Sequence, residues 1–103
     1  MKLISTLESL IDEEIADSAR YARMAASLKV DHPSLAQVLY TLSTQEDTHQ
    51  AALHAEVVKI IDSYKKTHGE PPAPMKVVYD ILHQRHIDSL AEARRLQDIY
   101  KST

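Results

Sequence analysis

Apolar side chains recur every three and four positions along nearly the whole chain, and strand-type alternation is missing. Leu35, Val38, Leu39, Leu42, Leu53, Val57, Ile60, Ile61 and Tyr64 form one such stripe, which predicts a long helix over about residues 34–67. Before it, Leu3, Leu7, Leu10, Ile11, Glu14, Tyr21, Met24, Ala25 and Leu28 predict a helix over about 5–29. Ser5 is its expected N-cap, and Glu8 three residues on would complete a capping box. A third stripe, Met75, Val78, Leu82, His86, Leu90, Ala93, Leu96 and Tyr100, predicts a helix over about 74–101. Val77, Ile81 and Ile87 draw a second apolar line on this helix, while Leu39, Val58 and Ile61 widen the stripe on the second.

The breaks fall where helices should stop. Val30-Asp31-His32-Pro33-Ser34 interrupts the periodicity. Pro33 suits a first helical turn, with Asp31 or His32 near the cap. Lys65, Lys66 and His68 complement the dipole at the end of the second helix, and Gly69 is the expected residue just beyond it. Glu70-Pro71-Pro72-Ala73-Pro74 then reads as a stiff spacer within the connector 69–74. One Gly and four Pro in 103 residues leave few other breaks. The expected fold is all-α, a single helical domain over 1–103 with three antiparallel helices.

Composition narrows the chemistry. Lys and Arg number 12 against 15 Asp and Glu, a net charge of −3, so neither nucleic acid nor an anionic membrane is an expected partner. With no Cys, disulfides, thiolate zinc sites, thiolate catalysis and a rubredoxin-type iron site are excluded. No apolar run reaches the length of a membrane span. Met1-Lys2-Leu3-Ile4-Ser5 lacks the apolar region of a signal peptide, and a cytoplasmic location is expected. Neither a Gly-rich phosphate loop nor a Ser nucleophile constellation is found.

The informative positions are polar ones inside apolar stripes. Glu46 and His49 fill the gap between Leu42 and Leu53. Three apart on a helix, they point the same way and are expected to face the core, where an uncompensated polar group is unfavourable. A metal ion compensates both at once, taking a carboxylate oxygen and an imidazole nitrogen. The spacing alone decides little, because seven Glu and six His in this length yield a Glu-x-x-His by chance roughly 0.4 times. Glu14 strengthens it by interrupting the first stripe in the same manner. The plain alternative for Glu14 is a carboxylate paired with Arg20, Arg23 or a Tyr hydroxyl. His86 interrupts the third stripe, and an ungapped overlay of helices 1 and 3 puts it where Glu14 stands, a faint internal repeat. Glu13, His54 and His83 fall off the faces, and Glu56 is expected on the core face, paired with a Lys or a Tyr, the alternative being an extra ligand at a neighbouring site. The five Tyr are expected at core or boundary positions.

Glu14, Tyr21 seven residues later, and Glu46-x-x-His49 twenty-five after that together resemble the first two helices of the ferritin-like superfamily. The likeness covers roughly residues 7–64 and is nearest to the rubrerythrin branch and its short relatives. It implies that Glu14, Glu46 and His49 are iron ligands and that Tyr21 lies beside them. It also implies oxidation of Fe(II) by oxygen or peroxide at a di-iron carboxylate site. The departures are specific. His86 stands where the third helix of the family carries Glu, and the family's second Glu-x-x-His is not found in these residues. Two arrangements follow. Two chains each contribute helices 1 and 2, as in half-bundle relatives such as encapsulated ferritins, or one chain gathers Glu14, Glu46, His49 and His86 around a single iron or other divalent metal. The apolar lines on helices 2 and 3 favour the first, a homodimer or a multiple of dimers. The competing expectation is a helical interaction module in which Glu46 and His49 form a buried pair without redox chemistry.

Overall fold

The computed structural model describes residues 2–102; the expected domain 1–103 also includes Met1 and Thr103, which lie outside the described residues. Three helices and no strand are found among the described residues: α1 Lys2–Leu28, α2 Pro33–His68 and α3 Ala73–Ser102. They run up, down and up in a rod of 56 × 18 × 18 Å. α1 packs along both neighbours, whereas the α2 and α3 backbones scarcely approach each other.

A seven-residue spacing sets the packing. Ile4, Ile11, Ser18 and Ala25 are buried on α1; Ala36, Ser43, Gln50 and Val57 on α2; His86, Ala93 and Tyr100 on α3. That is the period with which α-helices keep one seam facing a neighbour. Ser18 and Ser43 fix the register of α1 against α2 reciprocally. Ser43 Oγ donates to the Ser18 carbonyl at 2.7 Å, and Ser18 Oγ lies 3.0 Å from the Ser43 carbonyl. In antiparallel helices this register sets Ile4 against Val57 at one end and Ala25 against Ala36 at the other, and each pair shares an apolar cluster. Gln97 of α3 caps the layer, its Nε2 donating to Ser43 Oγ at 2.9 Å and to Asp47 Oδ2 at 2.7 Å. The polar groups of this layer are thereby mutually satisfied, as a buried network requires.

The helix ends differ from expectation in detail. α1 begins at Lys2, so Ser5 lies inside the helix and is not its cap. Glu8 turns toward α3 instead, its Oε2 3.1 Å from His86 Nδ1. His32 is the N-cap residue of α2 but forms no side-chain cap bond, and Pro33 occupies the first turn. Gly69 ends α2 at φ 78°, its N–H bonded to the Lys65 carbonyl at 2.9 Å.

The buried arc of α1 is rotated from the expected stripe. Leu3, Leu10 and Met24 are exposed, whereas Ile4, Ile15, Ser18 and Ala22 are buried. α1 serves two neighbours, so its buried arc is centred between them and one edge of the apolar stripe is left outside. Leu35, Val38 and Val58 of α2 and Val77, Val78, Ile81 and Ile87 of α3 are exposed as well, while Leu39 is buried. No described helix is long and apolar enough to cross a membrane.

Candidate metal centre

The register that Ser18 and Ser43 impose brings Glu14 level with Glu46 and Asp47 across the α1–α2 seam. Ser18 lies one turn beyond Glu14, and Ser43 one turn before Glu46. Two neighbouring positions of α2 then divide their work. Asp47 turns toward α3, where it accepts from Ser18 Oγ at 2.6 Å and from Gln97. Glu46 turns the other way and meets Glu14. One ligand-type atom each from Glu14, Glu46 and His49 lies within 4.8 Å of the other two.

His49 Nδ1 is 3.4 Å from Glu14 Oε2 and 3.7 Å from Glu46 Oε2. Among the described residues, Glu8 Oε2 and Glu14 Oε2 are the buried side-chain oxygens that accept no hydrogen bond. Glu8 faces the buried His86 at 3.1 Å, whereas Glu14 faces only the exposed His49 at 3.4 Å, and a cation between the two carboxylates of Glu14 and Glu46 would satisfy it. The donor set fits a metal: two carboxylates and one imidazole suit iron, manganese, cobalt or zinc. Bonds of about 2.0–2.2 Å set ligand atoms roughly 3.0 Å apart at octahedral and roughly 3.4 Å apart at tetrahedral angles, a spacing that small side-chain torsions can supply. The cluster sits at an edge rather than in the core. The Glu46 side chain is 16% exposed, Glu14 28% and His49 58%. This corrects the expectation that Glu46 and His49 both face the core. Three residues along a helix advance about 300°, so Glu46 enters the seam while His49 closes its rim.

His86 does not join this cluster. It is buried between α1 and α3, with Nε2 2.7 Å from Asp12 Oδ1 and Nδ1 3.1 Å from Glu8 Oε2. Asp12 is also bound by Arg85 at 2.6 Å. Parallel packing of α3 on the flank of α1 opposite the Glu14 edge explains the separation, so the single-chain arrangement of four ligands is not the one formed. Tyr21 is half-buried and packs against the cluster of Ala25, Ala36, Leu39 and Tyr100. Glu56 is 59% exposed and pairs with Lys59 at 3.1 Å, outside the core face where it was expected. Glu13 and His83 are exposed.

Sequence reasoning missed Ser18, Ser43, Asp47 and Gln97, and it missed the Glu8 and Asp12 partners of His86. The signal was the seven-residue recurrence of small residues, Ser18 and Ala25 on α1 and Ala36 and Ser43 on α2.

A wider groove of about 470 Å³ between α1 and α3 is lined by Asp12, Ile15, Ala16, Ala19, Asp88, Ser89 and Glu92. Its carboxylates are already engaged, Asp12 as described, Asp88 by Gln84 and Glu92 by Arg95. The Arg95 hydrogen bond holds the Glu92 carboxyl below its ordinary range. No protein-family model, curated protein or solved structure matches the chain.

Proposed function

We propose that this protein binds iron through Glu14, Glu46 and His49 and oxidises Fe(II) with oxygen or peroxide as the acceptor, in the manner of a ferritin-like protein. The observation that carries the reading is the buried, unbonded Glu14 Oε2 facing an imidazole and a second carboxylate. Iron supplies the one-electron redox change, and hard carboxylate oxygens favour its ferric state. The residues of the chain do the rest. Glu14 and Glu46 neutralise the ion, and His49 holds it from the rim.

Three protein ligands leave the site open on the His49 side. Leu3, Leu10 and Met24 of α1 and Leu35 and Val38 of α2 are exposed. Helical phase puts them on the same outer edge of the α1–α2 hairpin as Glu14 and His49. An apolar strip with a ligand cluster in its middle supports closure by a second copy about a two-fold axis. The second copy would bring its own Glu14, Glu46 and His49 and make a paired site. The exposure of His49 favours a second reading, in which the imidazole only lies against the two carboxylates and the helices form an interaction module without redox chemistry.

The test is aerobic addition of Fe(II), with ferric absorbance and bound iron both measured. The reading expects Glu46→Ala to lose bound iron and oxidation above the uncatalysed background, and Glu13→Ala to keep both. Equal iron retention by both variants would leave the second reading.

A further inference from the structure

We propose a second metal site, built from His54 of α2 and His83 of α3, that takes a nitrogen-preferring divalent ion such as Cu(II), Ni(II) or Zn(II). It does not rest on the Glu14 cluster. α2 and α3 scarcely approach each other along their length, yet here each presents an imidazole to the other. The ring centroids are 5.4 Å apart and the planes lie within 20°. An ion about 2.0–2.1 Å from one nitrogen of each ring is roughly 3.2 Å from each centroid. A tetrahedral ion sets the centroids about 5 Å apart and a tetragonal one about 4.5 Å. The rings now lie stacked, with their in-plane lone pairs apart, and rotation about each Cβ–Cγ bond, which leaves the centroids nearly in place, turns one nitrogen of each onto a shared ion.

The surroundings suit the same ion. Both rings line a cavity of about 150 Å³ with Gln50, Ala51, His86, Ile87 and Leu90. Gln50 lies one turn before His54, on the same face of α2, so its side-chain carbonyl can serve as a third donor. His86 is a wall, because both its nitrogens already face Asp12 and Glu8. Neither His54 nor His83 takes part in a hydrogen bond or ion pair among the described residues. With no carboxylate in the ligand set, the site selects against magnesium, calcium and manganese in favour of the borderline ions that imidazole binds best. It is also separate from the Glu14 cluster. Five residues from His49 to His54 turn α2 by about 140°, so the two histidines stand on different flanks of one helix. An ion held here would join the two helices that otherwise share little packing and would stabilise the assembled bundle.

The probe is Cu(II), titrated into the Glu46→Ala protein so that the acidic cluster does not compete. The expected result is one equivalent of copper per chain, with nitrogen hyperfine structure from two imidazoles in the electron paramagnetic resonance spectrum. His54→Ala and His83→Ala, each added to that background, should weaken binding roughly tenfold or more, as loss of even a supporting group near a metal does. His32→Ala should leave it unchanged, and circular dichroism should show the same helix content throughout. Copper affinity unaltered by His83→Ala would overturn the site. So would copper bound only between chains, seen as a dimer that appears on titration. Failure of the iron experiment would leave this result untouched, because the background already lacks Glu46.

Discussion

His86 and His49 are both histidines set against two carboxylates, yet their positions give them different work. His86 is sealed between α1 and α3, each ring nitrogen facing a carboxylate oxygen. Removing the ring leaves the buried Glu8 oxygen with no facing imidazole and opens a hole between α1 and α3. His86→Ala is therefore expected to lower stability by about 3 kcal/mol in urea unfolding, while iron affinity at Glu14, Glu46 and His49 stays within twofold. A tenfold loss of iron with unchanged stability would mean that His86 is a ligand after all. The convergence of Glu14, Glu46 and His49 was legible because each breaks an apolar stripe at a spacing that fixes its direction. The partners of His86 were not. Glu8 and Asp12 lie on the flank of α1 that only the placement of α3 turns inward, and Glu8 in sequence reads as half of a capping box. Gln97 was hidden for a related reason: a lone amide in a stripe looks like a gap until Ser18, Ser43 and Asp47 are seen around it.

At the scale of elements, periodicity located all three helices and the Pro-rich connector, because turn chemistry is local. Gly69 is the clearest instance. Its φ of 78° and ψ of −168° lie in a region open essentially to glycine alone, and a Cβ placed there meets nothing within 4 Å. Gly69→Ala should thus cost about 1–3 kcal/mol through the backbone only. Thermal unfolding would show it, and a neutral substitution would mean that the end of α2 relaxes without loss. The rotation of each helix was less legible than its extent. Leu3, Leu10 and Met24 matched the α1 stripe, but the buried arc is shared between two neighbours. The seven-residue recurrence of Ile4, Ile11, Ser18 and Ala25 is the pattern that carries the true facing, and two of those four residues are not strongly apolar.

At the scale of the whole molecule, an open apolar edge coincides with the Glu14, Glu46 and His49 cluster. If a second copy covers the edge, a charge placed on it should block association without unfolding the chain. Val38 is 53% exposed, so Val38→Lys should keep its helix content and remain monomeric in light scattering. Wild type should form dimers or multiples of dimers, more completely with iron bound, because the ion stabilises the assembled state. A wild type that stays monomeric with and without iron would rule out the paired site and leave a three-ligand one. The claim beneath all of this is that Glu14, Glu46 and His49 hold a metal, and anaerobic calorimetric titration with Co(II) tests it most directly. Wild type and Glu13→Ala should bind with the same stoichiometry and heat, and Glu46→Ala and Glu14→Ala should show no saturable binding beyond any retained by a site that lacks both residues. Indistinguishable isotherms for wild type and Glu46→Ala would contradict the account.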